Sequence, residues 1–252
     1  PLCHTVYEVR HLTEESKKLK VITQMGHQGH SSRDTANMRD WVQAGAIGEV
    51  REVIAYSKKN YWTDKAPLKG SRAPFDLDWN LWLNRAGKIP YSDSYINRNW
   101  IRYNHFSGAV GDMAAHIFDP AYYALDFRVP LSVRADVKTP ARPFSLPPGS
   151  VITWEFGARG SMPPVTLKFY LGNTVDNAPR PKRLEKGENT GFLQSGSVMI
   201  GEDASIIAGS HSQGGRIIPV AKRKEVGKPS GKTYRPKGDH FQNFSLACKG
   251  ED

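Results

Sequence analysis

The fold is decided by a stretch in the second half of the chain, Val165-Thr166-Leu167-Lys168-Phe169-Tyr170-Leu171. Its apolar side chains alternate with polar or amphipathic ones, and this period of two predicts a strand with one buried face. The same alternation begins at Glu49 and recurs over residues 131–138, 152–156, 198–200, 206–208 and 217–220. Together these strands predict a large, mostly antiparallel sheet with helices on one face. The other face is expected to be open and to contact further copies of the chain.

Helical patterns precede the sheet. Thr5 and Glu8 have the spacing of a capping box, and the apolar residues after them predict a helix from about residue 5 to 19. The short apolar run over residues 20–25 predicts a buried strand that ends at Gly26, and a second helix is expected over residues 33–44. A helix that leads into a buried strand is typical of an α/β unit. The chain is therefore expected to open with such a unit and to continue as an α+β domain.

The composition excludes several classes of protein. Of the 252 residues, 38% are hydrophobic and 10% are aromatic, which fits neither a disordered chain nor a collagen-like or coiled-coil one. Cys3 and Cys248 are the only cysteines, so a disulfide scaffold is excluded and two buried free thiols are expected. No apolar run approaches the roughly 18 residues that span a bilayer, and we expect no membrane partner.

The net charge is strongly positive, because 35 Lys and Arg face 25 Asp and Glu and leave a formal charge of +10. A basic balance is one sign of nucleic-acid binding. These charges are scattered singly, however, except over residues 180–186 and 222–237, where Pro and Gly indicate solvated loops. The Gly26-x-x-Gly29 turn also lacks the flanking Lys or Arg of a loop that clamps a nucleic-acid backbone. We therefore expect no nucleic-acid partner.

A helical pattern over residues 111–125 carries the side chains best suited to chemistry. Asp112, His116 and Asp119 stand at i, i+4 and i+7 and share one face of a continuous helix. A carboxylate one turn from an imidazole fixes its tautomer and raises its basicity, as a general base near neutral pH requires. Pro120 either kinks this helix or begins a new one with Asp119 as its cap. The same spacing is typical of an ordinary pair on a helix surface, and both interpretations remain open.

Two further segments are candidates for binding. The turn Gly26-His27-Gln28-Gly29-His30-Ser31 follows the first predicted strand, where α/β folds place ligands, although it is also typical of a plain polar turn. A zinc or iron site formed with His116 is disfavoured because no CxxC or HExxH motif accompanies it. Residues 56–106 form a long insertion rich in Trp and Tyr, with a short helix expected over residues 78–83. These aromatic side chains either pack as a satellite core or line a pocket for a sugar or nicotinamide ring.

Several of these segments, taken in order, resemble the Gfo/Idh/MocA oxidoreductases. The resemblance is carried by the capped helix after Pro1-Leu2 and by the stretches Ala46-Ile47-Gly48-Glu49-Val50, Asp78-Trp79-Asn80-Leu81-Trp82-Leu83, Trp100-Ile101-Arg102, Gly108 through Asp119 and Ala124-Leu125-Asp126. It covers nearly all of the chain to about residue 250 and implies three parts. Residues 1–30 would be the last helix and strand of a dinucleotide-binding Rossmann domain, residues 31–239 the substrate-binding and catalytic α+β domain, and residues 240–252 the start of a C-terminal helix.

The resemblance implies an NAD(P)-dependent oxidoreductase that transfers a hydride between the nicotinamide of NAD or NADP and a sugar, polyol or related carbonyl compound. His116 would exchange the proton of the substrate hydroxyl, and Asp112 would orient His116 or hold the substrate. The other site residues implied are His30, Tyr91, Trp100, Arg102 and Asp119 for the substrate and Pro1, Gln28, Trp79 and Trp82 for the cofactor. No metal ligand is implied. The expected partners are a sugar-like small molecule and, through the open face of the sheet, further copies of the chain.

Two features depart from the family's pattern. The family's catalytic Lys belongs to a Glu-Lys-Pro motif whose Glu and Lys would precede Pro1, and no G-x-G-x-x-G follows any predicted strand. The sequence is therefore expected to be a fragment that lacks roughly 100 residues of a cofactor domain and binds the dinucleotide poorly by itself. Two alternatives from other classes remain: a non-enzymatic carbohydrate-binding or assembly module, and a metal-dependent lyase that acts on keto-sugars.

Overall fold

A computed structural model describes residues 3–59, 61–97 and 99–251, and Pro1 lies outside the described residues. Seven strands form one sheet in the order β2-β3-β4-β1-β5-β6-β7. β1 and β4 are parallel, and every other neighbouring pair is antiparallel, which confirms the predicted α+β class. The helices are α1 (Val6–Leu19), α2 (Arg33–Gln43), α3 (Trp79–Leu83), α4 (Gly108–Ala124), α5 (Val220–Val226) and α6 (His240–Lys249). The strands are β1 (Val50–Ser57), β2 (Ser132–Asp136), β3 (Gly149–Phe156), β4 (Val165–Gly172), β5 (Ser195–Gly201), β6 (Ser205–Gly209) and β7 (Arg216–Ile218).

Two helices, α2 and α4, cover one face of the sheet. Their apolar side chains pack on the inward-facing residues of β1, β4 and β5 and form the main core. From α4 come Ile117, Ala121 and Ala124, and from β4 come Leu167 and Phe169, all of them completely buried. Because residues two apart on a strand share a face, the alternation in β4 becomes the floor of this core. None of the helices in the described part of the chain has the length and apolar character of a membrane span.

The opposite face of the sheet is covered over its central strands. Ile54 and Tyr56 of β1 pack there against Val175, Phe192 and Leu193, which come from the connection between β4 and β5. β1 is therefore buried on both faces, and the polar, open side predicted for it is wrong. The cause is that β1 lies in the middle of the sheet with a layer on either side, which a period-two pattern does not reveal. Over β3 and β4 the same face remains half-exposed.

The edge strand β2 differs from its sequence prediction. Leu131, Val133 and Val137, predicted to point into the core, are 78%, 56% and 44% exposed. They lie on the expected side, because Val133 pairs with Trp154, whose ring contacts Phe118 of α4 at a centroid distance of 5.0 Å. β2 is the outermost strand, however, so α4 packs over its neighbours and leaves these side chains uncovered.

The strand predicted over residues 20–25 is wrong. The segment belongs to no sheet among the described residues, and Val21, Ile22 and Met25 are exposed. A strand needs a neighbour that accepts and donates its backbone hydrogen bonds, and none lies beside this segment in the described chain. Gln24 instead donates to the carbonyl of His240 at 2.9 Å, which ties the segment to the start of α6. The burial expected for the two thiols is also wrong, since Cys3 is half-buried and Cys248 exposed.

Helix α4 continues through Pro120, so the alternative that a new helix starts at Asp119 is wrong. Proline has no backbone N–H, and the carbonyl of His116, four residues earlier, therefore lacks its usual helical donor. The predicted helices α1, α2 and α3 are confirmed, each with an N-cap whose side-chain oxygen accepts a backbone N–H: Thr5, Ser32 and Asp78.

A buried carboxylate, Asp40, fastens α2 to the loop before α6. It accepts hydrogen bonds from the backbone N–H groups of Gly231 and Thr233, from the Thr233 hydroxyl and from Arg235 Nη2, at distances of 2.6 to 2.9 Å. The side chain of Asp40 is only 2% exposed. Burial opposes ionisation, but the donors from Arg235, Thr233 and Gly231 outweigh it and hold the pKa of Asp40 well below its usual range.

We expect the Asp40→Asn substitution to lower the free energy of unfolding at pH 7 by about 3 kcal/mol, because it leaves Arg235 without its charge partner. The depressed pKa means that Asp40 stabilises the fold above the unfolded pKa of about 3.9. This contribution is lost as the pH falls toward the folded pKa, and the variant should lack that part of the acid dependence. Urea titrations over a pH series measure both effects. Asp176→Asn, which removes an exposed ion pair with Lys58, is the control and should change stability by less than about 1 kcal/mol; an equal loss in both variants would contradict this assignment.

Candidate active site

A cleft of about 350 Å³ lies at the N-terminal half of α4. One wall is the segment Met25–His27, another is Trp100, and the floor is formed by residues of α4 that include Asp112 and His116. A cleft of this size, with a few converging polar groups, suits a small polar ligand.

Helix α4 presents its functional side chains because its other side is buried against the sheet. Ile117 and Ala121 are completely buried, while His116 and Asp119 are half-buried on the side of the helix that meets the 3-10 helix Gln28–Ser31. Gly29 in that turn permits the close approach of a third segment. A Cβ at this position would lie 2.9 Å from the backbone oxygen of His211, closer than ordinary packing allows.

Three histidines and a carboxylate form a connected cluster beside the cleft. His27 Nδ1 lies 3.0 Å from His116 Nδ1, and His30 Nδ1 lies 2.8 Å from Asp119 Oδ1. His27 Nε2 lies 3.3 Å from Asp119 Oδ2, but the two atoms are not aligned as a hydrogen bond. We treat this last pair as an electrostatic contact, since the short separation alone does not satisfy the angular requirement.

The tautomers follow from these contacts. A carboxylate oxygen at 3.3 Å favours the proton of His27 on the nitrogen that faces it, Nε2. His27 Nδ1 is then an acceptor, and the hydrogen bond between the two Nδ1 atoms requires His116 to donate its Nδ1–H. His116 therefore keeps a free lone pair on Nε2, and this atom can accept a proton. His27, rather than Asp112, is therefore the described residue that is hydrogen-bonded to His116.

Two basic groups that the sequence analysis missed also surround His116. The rings of His211 and His116 have centroids 4.4 Å apart, and Lys59 Nζ lies 3.2 Å from Met113 Sδ, one turn from His116. β1 and β6 both run antiparallel to β5, so their C-terminal ends lie at the same edge of the sheet. Lys59 follows β1 and His211 follows β6, and only the strand order reveals that the two segments meet.

The pKa values of the clustered residues shift in different directions. Burial, followed by the nearby His211 and His27, lowers the pKa of His116, and the charge of Asp112 opposes this only in part. The hydrogen bond that His30 donates to the Asp119 carboxylate raises the pKa of His30. Burial works against ionisation of Asp119, yet contacts with His27 and His30 lower its pKa. The arrangement keeps His116 neutral at pH 7 beside an ionised Asp119.

The structure brings together part of the predicted site. His30, Asp119 and Gln28 lie at the histidine cluster, with Gln28 exposed, and Asp112, His116 and Trp100 line the cleft. Among the described residues, no hydrogen bond joins Asp112 to His116. The other predicted residues lie away from the cleft lining: Arg102 donates to the Trp62 carbonyl, Tyr91 is buried and donates to Asp93, and Trp79 and Trp82 stack on each other at 4.7 Å. The functional roles of all these residues stay predictions.

The aromatic insertion forms a packed cluster and walls a second cavity. Trp79 contacts Tyr91 and Tyr95, and Tyr95 contacts Tyr103 and Phe106, all with ring centroids within 6.2 Å. Between this cluster and α1 lies a cavity of about 580 Å³ whose lining includes Trp82 and Trp100. Trp100 therefore separates the two cavities, and the two interpretations of the insertion, satellite core and pocket wall, describe different sides of the same rings.

Comparisons with known proteins agree with this fold. Residues 34–145 match the family model described as "Oxidoreductase family, C-terminal alpha/beta domain". No curated protein matches the sequence. The chain is similar to the solved structure of the WlbA dehydrogenase from Chromobacterium violaceum in complex with NADH and UDP-GlcNAcA, at 15% identity and a TM-score of 0.53, covering 100% of this chain and 60% of that one.

Two further solved structures are similar at 14% identity and TM-scores of 0.51. One is an aldose-aldose oxidoreductase from Caulobacter crescentus complexed with glycerol, covering 98% of this chain and 60% of that one. The other is an NAD-binding protein from Listeria innocua, covering 100% of this chain and 64% of that one. At such identities the similarity shows a shared fold, and the chain spans less than two thirds of the length of all three structures.

We expect the His27→Phe substitution to change the preferred tautomer of His116. In chelator-treated protein, ¹⁵N-detected histidine spectra should show His116 with its proton on Nδ1, and the variant should shift it toward Nε2–H, because the acceptor at His27 is gone. His11→Gln, which changes an exposed histidine, is the control and should leave the His116 signals unchanged. A wild-type His116 that carries its proton on Nε2 would contradict the assignment.

Proposed function

We propose, from the premise that residues 34–145 belong to the C-terminal α/β domain of the Gfo/Idh/MocA oxidoreductases, that this chain supplies the substrate cleft and the proton-transferring group of an NAD(P)-dependent oxidoreductase. The proposed substrate is a sugar, a polyol or a related carbonyl compound. The observation that carries the proposal is that His116 lines the cleft with its Nδ1 atom 3.0 Å from His27 Nδ1. The natural protein that contains this chain is the species to which the activity is assigned.

His116 is the proposed acid/base group. Oxidation of an alcohol requires that the hydroxyl proton leaves as the carbon is oxidised, and a base that is unprotonated at working pH accepts it. Burial and the neighbouring His211 lower the pKa of His116 and so keep it in that form. The hydrogen bond to His27 holds the proton of His116 on Nδ1, and the lone pair therefore stays on Nε2. Asp112, on the same cleft, is the proposed substrate-holding carboxylate.

The substrate class rests on the cleft. Its volume of about 350 Å³ and its polar residues Ser107, Asp112 and His116 suit a polyhydroxylated compound the size of a single sugar. Trp100 offers an aromatic face, on which the apolar side of a sugar ring can stack. Two structures with the same fold support this choice, since the Chromobacterium enzyme is in complex with NADH and UDP-GlcNAcA and the Caulobacter enzyme is complexed with glycerol.

The residues that the structure describes do not form a complete dinucleotide site. The sequence contains no G-x-G-x-x-G, and Gly26 precedes and Gly29 lies within a 3-10 helix of four residues, which differs from the helix N-terminus that binds a pyrophosphate. A nicotinamide held by another part of the natural protein would supply the hydride chemistry. The residues described above would position the substrate and move its proton.

The division into residues 1–30, 31–239 and 240–252 also remains a proposal. Helix α1 has no buried residue, and its apolar side chains, together with those of residues 20–25, are exposed. The start of α6 bonds to the same region, since His240 contacts Ser31 Oγ at 2.8 Å and the Met25 carbonyl at 3.0 Å. The contact of His240 with Met25 supports the view that the two terminal segments pack with each other, while His27 and His30 of the first segment contact α4 of the sheet domain.

We expect the full-length natural protein to change the absorbance of NAD(P)H with at least one member of a panel of sugars and polyols. The His116→Gln variant should lower kcat/KM by about 10²–10⁴-fold, the range of general acid–base catalysis. Lys182→Gln, an exposed residue of the loop between β4 and β5, is the control and should keep full activity. Wild-type protein that is inactive with the whole panel and both cofactors would overturn the function, and full activity in His116→Gln would overturn the role of this residue.

The expected homo-oligomer is proposed to form through the open face of β3 and β4. Thr153, Glu155, Thr166 and Lys168 are half-buried there, on the face of β3 and β4 that points away from the main core. We expect the natural protein to elute as an oligomer in size-exclusion chromatography with light scattering. Thr166→Arg, which places a large charge on this face, should shift it toward the monomer, whereas Lys182→Gln should not. An unchanged mass in Thr166→Arg would place the contact elsewhere.

A further inference from the structure

We propose that His27, His30 and Asp119 form a binding site for a divalent transition-metal ion of the Zn²⁺ or Fe²⁺ class. The sequence disfavours a metal site here because no CxxC or HExxH motif is present, and these residues lie in two segments almost 90 positions apart. In the structure, one ligand atom from each residue lies within 4.8 Å of the others. This proposal goes beyond the hydride-transfer function and does not depend on it.

Two buried atoms in the cluster point to a missing ligand. His27 Nε2 and Asp119 Oδ2 are inaccessible to solvent and have no aligned hydrogen-bond partner among the described residues. The side chains of His27 and Asp119 are 9% and 14% exposed. Buried polar atoms almost always have a partner, because an unsatisfied group costs about 1–3 kcal/mol. Both atoms belong to the set that would hold the ion, and a bound cation would satisfy them together.

The geometry requires a small movement to close on the ion. Nitrogen and oxygen ligands bonded to zinc at about 2.1 Å in a tetrahedron lie about 3.4 Å from one another. His30 Nδ1 lies 2.8 Å from Asp119 Oδ1 and His27 Nε2 lies 3.3 Å from Asp119 Oδ2, so the carboxylate faces each histidine with a different oxygen. One ligand atom from each residue lies within 4.8 Å of the others, and the three must draw together to bind one ion. His30 can move, because its side chain is 48% exposed.

The donor set favours a transition metal over Mg²⁺ or Ca²⁺. Two imidazole nitrogens and one carboxylate are typical of zinc and non-haem iron sites, whereas Mg²⁺ and Ca²⁺ prefer oxygen ligands. Three protein ligands leave a coordination position for water or substrate, as in catalytic metal sites. The second ring nitrogen of His27 is hydrogen-bonded to His116, and such a bond is the usual support of a metal-bound histidine.

Binding at His27 Nε2 has a defined effect on His116. The ion displaces the proton from His27 Nε2, so His27 must carry its proton on Nδ1 and donate it to His116 Nδ1. The proton that His116 held on Nδ1 passes to His27 Nδ1. The proton displaced from His27 Nε2 is taken up by His116 Nε2. The number of protons on the two rings is unchanged. His116 turns from a proton acceptor at Nε2 into a donor at the same atom.

The test is a titration of chelator-treated protein, without a histidine tag, with Zn²⁺ and separately with Mg²⁺. We expect one equivalent of Zn²⁺ to bind and Mg²⁺ not to compete. Asp119→Asn and His30→Ala should each weaken Zn²⁺ binding at least 100-fold. His11→Gln, an exposed histidine, and His211→Gln, a neighbour of His116 outside the proposed set, should bind like the wild type. No stoichiometric Zn²⁺, equal affinity in Asp119→Asn and His30→Ala, or loss of binding in His11→Gln would each overturn the site.

A spectroscopic measurement on the unsubstituted protein avoids any effect of the substitutions on folding. Co²⁺ in place of Zn²⁺ should give visible absorption bands, and ¹⁵N spectra of the Zn²⁺-loaded protein should show the His116 proton on Nε2. Zn²⁺ that perturbs only His4, His11 or His105, which are exposed histidines outside the cluster, is an adventitious ion and would overturn the proposal.

Discussion

The packing of α4 on the sheet is the interaction on which the rest of the molecule depends. Ile117, Ala121 and Ala124 are completely buried against β1 and β4, and full burial of an isoleucine alone contributes about 1.5–3 kcal/mol. This anchoring fixes the rotation of the helix about its axis. The residues at the remaining positions, His116 and Asp119, must then face the turn that carries His27 and His30. The main core thus determines the geometry of the polar cluster.

Local patterns were sufficient to predict most elements of the fold. The capping pair Thr5 and Glu8, the cap Asp78 and the alternation in β4 each mark an element that the structure contains. The family resemblance is supported by the match over residues 34–145. The errors arose where the surroundings of an element decide its environment. β1 is covered on both faces, β2 has no helix above it, and residues 20–25 have no neighbouring strand in the described chain. The hydrophobic period of each segment does not encode these surroundings.

The residues of the candidate site were likewise predictable only where local spacing reveals them. Asp112, His116 and Asp119 were found because their spacing lies within one helix, and His30 because it follows an apolar run. The bond between His27 and His116 and the approach of Lys59 and His211 depend on the order of strands in the sheet. A single sequence does not give that order. The aromatic insertion depends on its surroundings as well: Trp79 donates its indole N–H within the insertion, to the Ile89 carbonyl, and its role toward a cofactor stays a prediction.

The two proposals converge on one atom, His27 Nδ1. It carries no proton when Nε2 faces the Asp119 carboxylate alone, and it carries one when Nε2 binds a metal ion. Since its only partner in the described chain is His116 Nδ1 at 3.0 Å, each state of His27 prescribes the opposite tautomer of His116. A neutral His116 cannot offer a lone pair and a proton at Nε2 at once. Under the two proposals, metal binding and proton acceptance by His116 are therefore mutually exclusive uses of the same cluster, and the occupancy of the proposed metal site would decide which chemistry the cleft supports.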